Sequence, residues 1–207
     1  MLAVAALGVL FVTGRRLGPR LPEPKGTIRF ELARTVDDAK RHLAAPGRHA
    51  KEVRNLRWDL GLITLYTALF VATGVVLGRR DEAWAPELGG AAIAFAVLAA
   101  MLDVVENLSL RRTLDRWPAD IEHEAVWIAR KAARGKFAAL AVVSAALSAL
   151  LWTGAGGWGE RTAAGLLAAT ALLGWLAVAN ERWLLPFFGA LFACGFALAI
   201  LGLAALF

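Results

Sequence analysis

Residues 89–110 read GGAAIAFAVLAAMLDVVENLSL, and the first fourteen of these 22 positions carry no charge. Coiled into an α-helix at about 1.5 Å per residue, a run of this length covers about 33 Å, enough for the roughly 30 Å hydrocarbon core of a bilayer. Comparable apolar blocks lie at residues 2–14, 60–78, 137–153, 162–179 and 184–207. The chain of 207 residues is 58% hydrophobic with a mean hydropathy of +0.57, above the roughly 45–50% apolar fraction of soluble domains. The expected fold class is therefore all-α, a polytopic transmembrane helical bundle of about six membrane segments joined by cytoplasmic amphipathic helices.

The first block is the short one. Its 13 residues, 2–14, rise only about 20 Å, so it needs an upstream start, a thinned bilayer or an interfacial pose. A signal peptide fits it poorly, since no basic residue precedes the apolar run and Val12–Arg16 offers no small-residue cleavage site. The expected organisation is one membrane domain over 1–207. Within it are the apolar 1–14 segment, a basic cytoplasmic segment at 15–58, a three-helix core at 59–153 and a C-terminal hairpin at 162–207.

Charge sets the expected orientation. The stretch from Arg15 to Arg57 holds twelve Lys or Arg and that from Arg111 to Lys136 seven, while Arg79, Arg80 and Arg161 are the basic residues of the intervening loops. Placing the rich stretches inside satisfies the positive-inside rule, sends both termini outward and implies the inner (plasma) membrane. The net charge of +6 comes without a nucleic-acid motif, so no nucleic-acid partner is expected. Thr35 with Asp38 forms a capping-box pattern that predicts a helix at 35–45, stopped by Pro46-Gly47. A second helix is predicted from His49 straight into the membrane, and a third from Pro118 and Asp120 along the stripe Ile121, Ala125, Ile128 and Ala132. Arg48, Lys51 and Arg54 are the candidate lipid-headgroup contacts, with anionic inner-leaflet lipids as partners. Small-residue rows at Gly74/Gly78, Ala141/Ala145/Ala149, Gly165/Ala169 and Gly189/Ala193 predict close contacts between the segments of a compact helical bundle, and a helix-helix partner or homo-oligomer stands beside the lipids as an expected partner.

Recognisable catalytic motifs fail one by one. His123-Glu124 lacks the second histidine of a zinc-protease motif, because Trp127 stands in its place. The glycine-rich run Thr153–Gly159 lacks the Gly-Lys-Ser/Thr ending of a phosphate loop and reads as a turn. The one cysteine, Cys194, can form neither an intrachain disulfide nor a multi-cysteine metal site. No metal site, cofactor or catalytic residue is nominated.

The candidate site is a set of polar residues in or beside the apolar blocks. Asp59 opens the second block with Tyr66 two turns deeper, Asp103, Glu106 and Asn107 share one face at i, i+3 and i+4, and Lys136 opens the fourth. Matched depths predict that the six converge in the inner-leaflet half, about 10–12 Å in for Asp103 and Tyr66. Ionisable groups there cost about 2.5–3.5 kcal/mol each near a helix centre and need partners. Lys136 is expected to pair with Glu106 or Asp59, Tyr66 to donate to Asp103, and Asn107 to bridge helices.

Phe30-Glu31-Leu32-Ala33, Trp58-Asp59, Tyr66, Leu102–Asn107 and Lys136-Phe137 together resemble a family of small uncharacterised bacterial multi-pass membrane proteins, over about residues 27–153. The resemblance implies a shared polar core and no particular chemistry. Three functions follow from the residues. The first is a membrane-embedded binding or assembly protein that holds a lipid, a small hydrophobic ligand or a partner helix at the cluster. The second is a proton-coupled transporter, and the third a lipid-modifying enzyme using Glu106 or Asp103 with Lys136. No internal repeat or Pro-interrupted helix in the third to fifth segments favours transport, and no nucleophile or metal set favours catalysis.

Overall fold

A computed structural model describes residues 24–154 and 157–204. The 2–14 segment and its signal-peptide reading lie outside the described residues, as do residues 155–156 of the glycine-rich turn and the end of the 184–207 segment. Among the described residues the chain is helical and has no strand. Two short helices, α1 (Pro24–Glu31) and α2 (Val36–Leu43), precede α3 (Arg48–Leu77), α4 (Ala85–Asp115), α5 (His123–Thr153), α6 (Trp158–Ala179), a 3-10 turn (Glu181–Trp183) and α7 (Leu184–Ala204). Five helices are long and apolar enough to span a membrane. The chain is thus a multi-pass membrane helical bundle.

The helices run longer than the apolar blocks because their polar flanks keep helical periodicity. At 30, 31 and 31 residues, α3, α4 and α5 each measure about 45 Å, some 15 Å more than the hydrocarbon core needs. The surplus gathers at one end. There His49 Nε2 lies 3.1 Å from the Leu114 carbonyl, Arg130 pairs with Glu181 at 3.1 Å, and Arg134 donates to the Val178 carbonyl at 2.6 Å. These contacts join the start of α3, the ends of α4 and α6, and the start of α5. At the opposite end Arg80 reaches the Leu150 carbonyl and both Glu160 oxygens at 3.0 Å. The helices therefore alternate in direction.

Local signals in the basic end behave as the residues demand. Thr35 and Asp38 close the capping box, Thr35 Oγ1 accepting from the Asp38 N–H at 3.1 Å and Asp38 Oδ2 from the Thr35 N–H at 3.2 Å. The Arg41 guanidinium against Asp38 holds its carboxyl below the usual range. Gly47 then turns the chain into α3 at φ +73, a left-handed conformation that glycine adopts without a Cβ penalty. The expected start at Pro118 is corrected. Residues 116–119 make turns, the Asp120 N–H donates to the Arg116 carbonyl at 3.2 Å, and the extended Glu122 delays α5 until His123.

α5 is the central helix, buried round most of its circumference, and packs mainly on α4 and α6. On α4 the buried positions Ala85, Gly89, Ala92, Ala96, Ala99, Asp103, Glu106, Leu110 and Thr113 step by alternate fours and threes. That 3.5-residue period is the seam of a left-handed helix pair. Ala129, Ala133, Lys136, Leu140, Val143, Leu147 and Leu150 repeat it on α5. Alanines let the backbones approach, which matters in lipid, where close packing rather than water exclusion holds helices together.

Only some of the small-residue rows do this inside the chain. Gly74 and Gly78 meet Gly89 of α4, where an added Cβ would stand 2.7 Å from both Gly74 O and Gly78 Cα. Ala141 meets Gly174 of α6, while Ala145 of the same row is exposed. Gly165/Ala169 and Gly189/Ala193 are corrected as intrachain contacts: all four residues are exposed, and a Cβ on either glycine would touch nothing within 4 Å. Gly89→Ala should cost about 1–3 kcal/mol in unfolding stability because backbone walls the site on two sides, whereas Gly90→Ala, facing open space, should be neutral or gain up to about 1 kcal/mol. Thermal melts of the two variants in one detergent check this, and equal melts would remove the α3–α4 contact from the account.

Candidate functional site: an acid-rich cluster on the helix seams

The heptad seams that bring alanines together near the middle of α4 and α5 carry acids and a base further along. Asp59 stands 18 residues before Leu77, Asp103 stands 18 after Ala85, and Lys136 stands 17 before Thr153. All three are thus about 26–27 Å above the opposite end of the bundle, on one level. Tyr66 lies lower, but side chains lean toward their helix's N-terminus, which raises Tyr66 on α3 and lowers Asp103 on the oppositely directed α4.

They meet accordingly. Tyr66 Oη donates to Asp103 Oδ2 at 2.9 Å, and Lys136 Nζ donates to Asp103 Oδ1 at 2.8 Å. Lys136 Nζ also lies 2.7 Å from Glu106 Oε2, as a charge contact without hydrogen-bond alignment. Asp103, Glu106 and Lys136 are 3%, 1% and 7% exposed, so each charge is out of solvent and opposed by a partner. Asn107 Nδ2 donates to Asp59 Oδ2 at 2.7 Å, bridging α4 and α3. Of the expected pairings, Lys136 with Asp59 does not form among the described residues. Asp103 takes that place, since it shares the α4 seam facing α5 while Asp59 approaches from α3.

Two acids of this end were not among the six residues of the predicted cluster, although Glu31 belongs to the stretch that carries the family resemblance. Glu31, the last residue of α1, reaches the electrostatic field of Lys136, Asp59 and Asp103. Part of its surface is exposed, yet protein surrounds its carboxyl, and the resulting desolvation, with those neighbouring carboxylates and against the pull of Lys136, pushes it up to about 7. The available signal was an acid between Phe30 and Leu32, both buried. Glu52 is 1% exposed and held by His42 Nε2 at 3.0 Å and Asn55 Nδ2 at 3.2 Å, with the His42 ring stacked on Phe30 at 5.4 Å. Its signal was an i, i+3 pair with Asn55 beside Val53 and Leu56.

The three headgroup candidates lie on the first two turns of α3, Arg48 and Lys51 half-buried and Arg54 exposed. Among the described residues no group of His, Cys, Asp and Glu could hold a metal ion. What the cluster offers is acid in excess of base, in a setting where water does not screen it. It can take up protons, a cationic group or hydrogen-bond donors. Comparison with family models, with curated proteins and with solved structures finds no match.

Lys136 faces two carboxylates, so the variants should rank in a definite order. Lys136→Met leaves both uncompensated and should cost about 3–5 kcal/mol. Glu106→Gln leaves the Lys136–Asp103 bond intact and should cost less. Glu106→Gln added to Lys136→Met should recover only part of the loss, and Asp103→Asn on top most of the remainder. Additive losses in thermal melts across this series would mean that the three residues do not interact.

Proposed function

We propose that the protein is a membrane-embedded binding or assembly protein that holds a lipid, a small hydrophobic ligand or a partner helix against the polar cluster. The observation that carries this reading is the imbalance of charge: Glu31, Asp59, Asp103 and Glu106 gather round one ammonium, Lys136, which already contacts two of them. Burial without matching positive charge favours a ligand with an amine or several hydrogen-bond donors. Half-buried Asp59 and Tyr66 mark the edge at which such a group would enter. The same excess of acid supports proton-coupled transport as the second reading, with the carboxyls as proton carriers.

The outward rows Gly165/Ala169 on α6 and Gly189/Ala193 on α7 are suited to a partner helix or a second copy, because their backbones are open to close approach. Orientation is part of the proposal. Among the described residues, Arg79, Arg80 and Arg161 alone of the Lys and Arg lie at the end opposite the cluster. This asymmetry favours a cytoplasmic basic end in the plasma membrane, and the resemblance to small bacterial membrane proteins agrees with it.

Mass spectrometry of lipids and small molecules retained by the detergent-purified protein tests the binding reading. Wild type should retain an amine-bearing amphiphile near stoichiometrically. Asp59→Asn keeps an acceptor for Asn107 but removes the charge, so it should lose that ligand while its melting temperature holds or rises. Undiminished retention in this variant would return the cluster to a structural clamp. Orientation is checked on a Cys194→Ala background with an impermeant thiol reagent on intact cells: Ala83→Cys should label and Ala119→Cys should not, and the reverse pattern inverts the topology.

A further inference from the structure

A second site lies apart from the acid cluster, where α1 and α2 fold against the α6–α7 turn. A cavity of about 870 Å³ opens there, with Arg29, Arg34, Arg41, Arg48 and Arg182 round it against two carboxylates, Asp38 and Glu181. Both carboxylates are already engaged, Asp38 with Arg41, and Glu181 with Arg130 at 3.1 Å and Arg34 at 3.5 Å. Arg29 and Arg182 are exposed, and among the described residues their side chains have no ion-pair or hydrogen-bond partner. Apart from His42, which Glu52 holds at 3.0 Å, the remaining wall is apolar, including Leu32 just after α1 and Leu184 and Leu185, the first two residues of the membrane helix α7. Positive charge therefore faces the end of the bundle, and hydrocarbon continues from the same cavity into the membrane region.

We infer that this cavity binds the phosphate headgroup of an anionic phospholipid, with arginines on the phosphate oxygens and the start of the acyl chains along Leu184 and Leu185. Guanidinium groups recognise phosphate through paired N–H donors, and basic pockets between membrane helices take such headgroups. Free phosphate would satisfy the arginines alike. It would leave the leucine wall unused and fill a small part of the volume, so the lipid source is favoured. The inference does not rest on the acid cluster or its ligand, since the two sites use opposite charge and neither Arg29 nor Arg182 contacts the cluster residues.

The test uses the full chain in nanodiscs of phosphatidylcholine doped with phosphatidylglycerol, with bound phosphatidylglycerol counted by native mass spectrometry. Arg29→Gln and Arg182→Gln should each weaken retention about fivefold, and the pair about thirtyfold, at about 1 kcal/mol per basic residue. Arg57→Gln with Arg112→Gln removes two exposed charges from the same end of the bundle outside the cavity and should have little effect. Arg29→Lys with Arg182→Lys keeps the charge and should hold most of the lipid, separating loss of binding from loss of fold. Equal loss from the Arg57/Arg112 pair would reduce the effect to diffuse attraction and overturn the site. Displacement of the lipid by millimolar inorganic phosphate would overturn the lipid assignment in favour of a soluble anion.

Discussion

Lys136 sits between Asp103 and Glu106 at 2.8 and 2.7 Å, on seams whose other members are mostly alanine. Each fact requires the other. Removing three charged groups from water costs several kcal/mol per ion before their mutual attraction is counted, so such contacts persist only where backbones hold them close. Ala96 and Ala99 on α4 and Ala133 on α5, all fully buried, keep the seams small enough for that approach. In lipid the same small side chains supply the packing that holds the pair together. The pair in turn sets the positions from which α3 brings Tyr66 and Asp59 and α6 brings Gly174 onto Ala141.

The surplus length of α3, α4 and α5 builds a polar head on this frame. Arg48–Arg57 and Arg111–Asp115 extend past the level of the cluster, and α1 and α2 fold down against them through Phe30, Ala39, Leu43, Leu110 and Leu114. Burying Glu52 with His42 and Asn55 joins α2 to α3 across a loop that contains Pro46 and Gly47. α1 occupies the position between the two candidate sites. Its Glu31 faces the field of the acid cluster, while Arg29 and Leu32 line the arginine cavity. One short helix thus separates an acid-rich cluster from an arginine-lined cavity.

Much of this architecture is local information. The five spans follow from run length, the capping box from Thr35 and Asp38, and the shared face of Asp103, Glu106 and Asn107 from i, i+3, i+4 spacing, because each depends on a few neighbouring residues and on the pitch of a helix. Gly74 and Gly78 announced a close contact in the same way. Their partner Gly89 did not announce itself, since it lies in an ordinary Gly-Gly pair and only the crossing of α3 over α4 distinguishes it from Gly90.

What the amino-acid sequence by itself determined is therefore where the described spans lie along the chain, the charge asymmetry between the ends, and the residues that had to be brought out of lipid contact. Tertiary structure decided the pairings that this spacing left open. Lys136 takes Asp103 together with Glu106 rather than Asp59 because those two share the seam that faces α5, a matter of helix rotation. Glu31 and the arginine cavity depend on where a short helix docks, and residues 29, 48 and 182 come together only after the whole bundle has formed. Helical periodicity acts over three or four residues and can be read along the chain, whereas the crossing, rotation and docking of helices are settled by packing between residues that lie far apart in it.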